Sequence, residues 1–385
     1  MAIRRQMSVA IVGAGIGGLA AAAALRQVGF EPLVFEQADA FARVGAGIQQ
    51  SPNAVKIHRG LHIEERLRAV AFAPSAALDR DGASGKAAGK FPLGREAEAR
   101  YGAPYLTLHR AELHAALAAT APAGSVQLGK TLVAIEPHAA RYSLTFADGS
   151  EATADAVIGA DGVHSRVREF VASPMPARFC GRISYRASFP ATRLRGLDIG
   201  NARTRWRGRD RHVVMSYVNA ARDEVQFTTS QPDAAADLAR ESWSAAGDPT
   251  AMRQAFLSFH SDVQAVLSAA PQVHAWPIYE RAPLSTWSRG CVVLLGDACH
   301  PATPDLVSGA ALALEDAVVL ARCLDEFHDI GVEAALRTYE ATRKPRTSLV
   351  QASSAGAQMR NQSSPDWLYG YDAWRVPLRA TLDNF

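Results

Sequence analysis

Continuous apolar runs, helical periodicity and short period-two stretches succeed one another along the chain. Residues 9–12 (Val-Ala-Ile-Val) contain no polar position, as a strand buried on both faces requires, and lead through a glycine turn into the alanine-rich helical pattern of 19–25. Residues 32–35 repeat the buried-strand pattern, so a first βαβ unit covers 8–37. A helical pattern follows over 54–67. Residues 74–100, rich in Gly, Ala and charge and without strong periodicity, read as an excursion between core elements. Residues 107–113 are expected to begin a helix, 142–146 to form a strand closed by the turn Ala147-Asp148-Gly149-Ser150, and 156–159 to form a buried strand. Between about 180 and 280 short alternating strands dominate (183–189, 212–218, 224–229), with one helical stretch at 250–268. An apolar strand at 291–295, a glycine–acid turn and a long helix over 310–324 then repeat the opening order of strand, turn and helix.

The first turn carries chemistry. In Gly13-Ala14-Gly15-Ile16-Gly17-Gly18, Gly13 permits the tight turn, Gly15 lets the main chain approach a pyrophosphate and Gly18 allows close helix–strand packing. Glu36 ends the second strand at about the ~20-residue offset at which a carboxylate meets an adenosine ribose. The uncharged run from Met7 to Leu25, preceded by Arg4-Arg5, mimics a signal or membrane segment, but it spends four glycines on a phosphate-type turn and runs on into Glu31 and Glu36. A cytoplasmic location is expected.

At 385 residues and 48% hydrophobic content the chain can fill two domains or one large composite one. A formal charge of +3, from 41 basic against 38 acidic residues, predicts neither nucleic-acid nor membrane affinity. Cys180, Cys291, Cys299 and Cys323 show no Cys-x-x-Cys pair, which fits a reduced compartment and argues against a zinc site or disulfide frame. Arg203, Arg205, Arg207, Arg209 and Arg211 alternate around Trp206 and Asp210, a pattern of either a solvated edge strand or the rim of an anion-attracting entrance, the pattern alone favouring the solvated edge.

Two further segments join the fingerprint: Gly159-Ala160-Asp161-Gly162, and Gly296-Asp297-Ala298-Cys299-His300-Pro301. Together the three resemble the FAD-dependent aromatic hydroxylases of the p-hydroxybenzoate hydroxylase type, over essentially the whole chain. The resemblance implies an α/β fold, with a Rossmann-like FAD-binding domain (1–73, 101–179 and 281–345), an inserted sheet-rich substrate domain (74–100 and 180–280) and a C-terminal helical tail (346–385). It further implies bound FAD held by Gly13, Gly15, Gly18, Glu36, Arg43, Arg110, Asp161, Gly296, Asp297, Pro304 and Gly309. NADH or NADPH would be a transient reductant, NADH first, and O2 the oxidant, with a flavin hydroperoxide transferring oxygen to an electron-rich ring. No metal is implied, and His300 reads as structural.

Within the family, shared segments at 45–48, 210–212, 287–290 and 367–372 are most similar to decarboxylating hydroxylases of a pyridine carboxylic acid. That likeness makes His212 the leading acid/base or substrate-orienting residue, on a strand whose period of two puts His212, Val214 and Ser216 on one face. Four positions depart from it: Gln49 stands where those enzymes have histidine, Arg203 where they have cysteine, Ser216 where they have tyrosine, and Asp305 where they have histidine. These, with Tyr217, are the candidate substrate contacts. Arg203 adds a fork suited to a carboxylate. Val307 replaces a glycine usual in the family. Trp367, Tyr369 and Tyr371 are expected to cover a core or dimer surface. The implied function is hydroxylation of a small phenolic or N-heteroaromatic acid, with or without loss of its carboxylate, by a monomer or homodimer. The alternatives are oxidation of a larger secondary metabolite, or flavin binding without turnover.

Overall fold

The structure, a computed structural model, describes residues 7–41, 47–173, 177–233, 245–303, 309–354 and 365–379. Strands Val9–Val12, Ala156–Gly159 and Val292–Leu294 lie side by side and parallel, with Val9 opposite Ala156 and Val157 opposite Val292. Leu33–Phe35 and Val126–Gln127 extend this sheet on one side, and Ser288–Arg289 pairs antiparallel at the other. Ile11, Val157, Val292 and Val293 are all fully buried, as strands covered on both faces demand. Because the three central strands run the same way, the turns that follow them all emerge at one edge, where open α/β sheets bind ligands. Helix Ile16–Gln27 packs on helix Gly309–Glu326, and a side chain added at Gly17 would come within 2.6 Å of Leu295.

A second sheet has seven strands in the order His274–Glu280, Arg178–Pro190, Glu224–Pro232, His212–Tyr217, Ala202–Arg207, Ala76–Asp81 and Ala87–Pro92. One face carries Trp206, Val213, Met215, Phe227 and Phe189 and forms a separate core with residues of helices Pro249–Ala255 and Ser261–Ala269. The other face meets the two-stranded ribbon of Gly47–Gln50 and Leu106–His109: a Cβ on Gly47 would lie 2.2 Å from Gln226.

Several expectations need correction. Residues 74–100 hold two strands and helix Arg95–Tyr101; short charged strands such as Ala87–Pro92 carry little apolar signal because their partners supply the burial. The expected helix at 107–113 is strand Leu106–His109 followed by helix Arg110–Ala118, with the His109 imidazole accepting the Ala111 N–H. The helical pattern at 54–67 is two helices, Pro52–Gly60 and Glu64–Val70, broken where His62 adopts φ 59°. Ala202–Arg207 is an interior strand, not a solvated edge, because Asp79 on the neighbouring strand neutralises Arg205 (2.7 Å) and Arg207 (3.3 Å). Helix Val332–Ser354 continues through Pro345, so the expected boundary between 345 and 346 falls inside a helix.

Behind the parallel sheet lies an ion network whose centre, Arg343, Glu315 and Asp316, is fully buried. Arg343 on that helix bonds Asp316 (2.7 Å) and Glu315 (2.7 Å), and Arg346 bonds Glu315 (2.8 Å). Asn53 donates to Glu315 (2.8 Å), His300 pairs with Asp316 (2.5 Å), and the Gly296 N–H donates to Asp316 (3.1 Å). Burial alone would push both carboxyl groups up; Arg346 and Arg343 hold Glu315 down, and His300 and Arg343 hold Asp316 down to about 2. Arg343→Met should strand both carboxylates and destabilise the protein by about 3–5 kcal/mol, read from the urea midpoint. Asp316 stays ionised in the fold to about pH 2, whereas the ordinary value is 3.8, so its contribution is complete above that value and lost as pH falls toward the folded one. Asp316→Asn should flatten the stability curve across that window, and a wild-type curve already flat there would refute the assignment.

Candidate active site

At the edge where the parallel strands end, Gly13 takes φ +103°, and a Cβ there would lie 2.5 Å from the Ala160 carbonyl oxygen; one at Gly18 would lie 1.9 Å from that of Gly13. These two glycines let the turn close against its neighbour. Gly15 serves otherwise: nothing stands within 4 Å of its Cβ position, so the backbone opens onto free space at the start of helix Ile16–Gln27, which has no side-chain cap. The exposed N–H groups and helix dipole make an anion site. Glu36 accepts the Ala14 N–H (2.7 Å) and the Ala38 N–H (3.0 Å), which fixes its carboxylate beside the turn. Gly13, Gly15, Glu36, Lys130 and Asp161 line one cavity of about 250 Å³. Asp161 also caps helix Arg166–Val171, accepting from the Ser165 hydroxyl (2.5 Å) and the Arg166 N–H (2.7 Å), and burial raises its pKa.

Further along, Arg110 opens helix Arg110–Ala118 in the field of Asp297, which sits in the turn Gly296–Ala298. Burial lowers the Arg110 pKa against the pull of Asp297, and Arg186 falls to about 10 through burial and the charge of Arg110. Two guanidinium groups in each other's field suit an anion between them. Gly309 borders Asp297, a Cβ there lying in ordinary contact with Oδ1 at 3.8 Å. Gly296 takes φ +62°, and its N–H is held by Asp316. Arg43, Pro304, Asp305 and Val307 lie outside the described residues. An uncapped helix start, an open glycine, an acid at the second strand end and a paired-arginine end together fit FAD.

On the seven-stranded sheet, His212 stands opposite Arg207, and Val214 opposite Arg205, so His212, Val214 and Ser216 share a face with Arg203, Arg205 and Arg207. Tyr217 points the other way, into the second core, edge-on to Phe72 at 5.6 Å; the fold thus brings together His212, Ser216 and Arg203 but not Tyr217. Burial, then Arg205, Arg182, Arg203 and Arg207, drive the His212 pKa down to about 4, which makes the imidazole neutral at physiological pH. The Arg203 Nε is buried without a hydrogen-bond partner. Gln226 donates to Ser216 (3.4 Å), and Gln49 accepts from the Tyr105 hydroxyl.

Three residues not singled out from sequence belong to this region, Tyr105, Arg186 and Gln226, and so does Tyr369, which the sequence marked only as a cover for a core or dimer surface. Arg186 and Gln226 were legible in principle, as polar positions alternating with apolar ones in their strands. Nothing near Tyr369 in the chain places it in this region, because only the return of the tail brings it edge-on to Tyr101 (5.5 Å) and beside Tyr105 (6.0 Å). His300, 2% exposed and bound to Asp316, has the structural role expected of it. Among the described residues there is no cluster able to hold a metal ion, and no helix long and apolar enough to cross a membrane.

Residues 6–354 match the family model described as FAD binding domain. The chain is 41% identical to 6-hydroxynicotinate 3-monooxygenase of Bordetella bronchiseptica, over 96% of each chain. It is 39% identical to 3-amino-4-hydroxybenzoate 2-monooxygenase of Streptomyces cremeus, over 90% of this chain and 86% of that one. Klebsiella pneumoniae HpxO, solved with FAD and uric acid, superposes with a TM-score of 0.81 at 29% identity, covering 93% of this chain and 91% of the other. With its three turns gathered at one sheet edge, the chain belongs to this FAD-binding family and is an FAD-dependent monooxygenase of the aromatic hydroxylase type.

Proposed function

We propose that the chain is a single-component hydroxylase of a small phenolic or N-heteroaromatic acid, using NADH or NADPH and O2, with or without loss of the carboxylate. The observation that carries this reading is one sheet face that presents both a neutral imidazole, His212, and, further along beside Ser216, a guanidinium, Arg203, whose Nε is buried without a partner. Relatives named for 6-hydroxynicotinate and 3-amino-4-hydroxybenzoate, both hydroxylated ring acids, support the substrate class.

FAD, reduced by the nicotinamide, supplies the activation of oxygen. The chain's residues do the rest. Gly15 and the first turn of helix Ile16–Gln27 would hold the pyrophosphate, Glu36 the adenosine ribose, and Asp297 with Arg110 the remainder of the cofactor. Arg203 takes the substrate carboxylate in a two-point grip, which sets the ring's position. His212, unprotonated at rest, accepts the proton of a ring hydroxyl and so raises the electron density of the carbon to be attacked. Ser216 and Gln49 offer hydrogen bonds to ring substituents.

The purified protein should be yellow, and hydroxylated pyridine or benzene carboxylic acids should stimulate NADH oxidation and give a product with one oxygen added, or with oxygen added and carboxylate lost, by mass spectrometry. Flavin without stimulation by any acid would overturn the reading. His212→Ala should retain FAD and lower coupled hydroxylation by roughly 100-fold or more, with peroxide replacing product; unchanged product formation would remove His212 from the mechanism. Since His212 must be unprotonated and titrates near 4, kcat/KM should fall only as pH drops toward that value, with no inflection at the ordinary 6.5. Arg203→Ala should weaken binding of acids more than of neutral analogues, and an equal loss for both would reject the carboxylate grip.

A further inference from the structure

The C-terminal segment is anchored more firmly than a mere cover requires. Arg346 donates to the carbonyls of Trp367 (2.9 Å) and Leu368 (3.2 Å), and the Tyr101 hydroxyl donates to Asp366 (2.5 Å). Lys56 spends its ammonium on three successive carbonyls, of Tyr369 (3.3 Å), Gly370 (3.1 Å) and Tyr371 (3.2 Å). The Tyr371 ring is held under Arg346 at 3.9 Å, and its hydroxyl accepts from Arg343 (2.9 Å). What this anchoring positions is Tyr369, between the rings of Phe91 (6.2 Å), Tyr101 (5.5 Å) and Tyr105 (6.0 Å).

Arg203 stands in register with Ala77, and Ala77 with Phe91, on one face of three adjoining strands; Tyr369 packs against Phe91 and Tyr105, so the two phenols and the guanidinium share one end of that face, and the charge of Arg203 reaches both phenols. Arg205 is engaged with Asp79, but the Arg203 Nε is buried and unpaired, a costly state unless a ligand completes it. Tyr105 donates its single proton to Gln49, which leaves the Tyr369 hydroxyl as the phenol able to donate. Burial raises the Tyr369 pKa, so that proton stays in place at working pH.

We propose that Tyr369, delivered by the C-terminal segment, forms with Arg203 a carboxylate subsite at the end of the substrate cleft, walled by Tyr105, and that it sets the preference for aromatic acids over neutral rings. This rests on the proposed hydroxylase reading and adds the residue that selects its substrate. A carboxylate takes two N–H bonds from Arg203 and one O–H bond from Tyr369; a carboxamide turns an N–H₂ toward donors and loses at least one of them. The aromatic walls fit a planar acid.

The test is titration of the FAD-loaded enzyme with 6-hydroxynicotinate, 3-hydroxybenzoate and their carboxamides, followed by perturbation of the flavin absorbance. Tyr369→Phe keeps the ring and removes the hydroxyl; it should raise Kd for the acids about tenfold and leave the amides unchanged. Arg203→Lys, which keeps the charge but loses the fork, should likewise erode the acid-to-amide ratio. Equal weakening of acid and amide in Tyr369→Phe would mean that the residue only props the fold, and a wild-type enzyme whose acids bind no better than their amides would overturn the subsite outright. Product analysis keeps the two readings apart. Acid selectivity lost in Tyr369→Phe while wild type adds no oxygen to any acid would uphold the subsite and sink the hydroxylase; hydroxylation with selectivity unchanged in the variant would do the reverse.

Discussion

The two acids and two arginines buried between helices Gly309–Glu326 and Val332–Ser354 organise the molecule. Charges removed from water are tolerated only when every one is matched, so the network admits one arrangement of the elements that supply it. Asp316 is its pivot. One carboxylate oxygen takes Arg343, and the other takes both His300 and the Gly296 N–H, so the glycine–acid turn bearing Asp297 is tied to the helix that follows it. Glu315 reaches the other way, through Asn53, to the helix following the Gly47–Gln50 strand. Arg343 and Arg346 carry the same network on into the tail.

Around that frame the two sheets divide the work. The parallel sheet presents three turns at one edge, which suits a long, charged dinucleotide met by backbone N–H groups. The seven-stranded sheet hides one face in a core of its own and carries on the other, where small-molecule recognition is proposed, polar side chains at alternate positions of four adjoining strands. In the proposed hydroxylase the first side would supply reactivity and the second the choice of substrate.

Legibility followed the range of the interactions. The fingerprint turn, Glu36, Asp297 and the buried strands could be read because each signal spans a few residues: a glycine where a Cβ would strike a neighbour, an apolar run where both faces are covered. His212, Ser216 and Arg203 needed only the two-residue period and the family resemblance. The strands at 74–100 escaped notice because Asp79 makes sense only beside Arg205, more than a hundred residues away. The solvated-edge reading of the arginine ladder fails for the same reason: without Asp79 beside it the ladder looks exposed. Tyr369 depends on contacts made by Lys56, Tyr101 and Arg346, which nothing near it in the chain announces.

The concentration of guanidinium groups near His212 reaches beyond the histidine. A positive field that makes an imidazole reluctant to accept a proton makes a neighbouring phenol or hydroxypyridine readier to release one, since both responses come from the same electrostatic potential. A substrate entering this cleft would meet surroundings that stabilise its anion before any base acts. The weakness of His212 as a base is then matched by a more acidic substrate, and the push of electrons into the ring comes as much from the charge of the walls as from proton transfer.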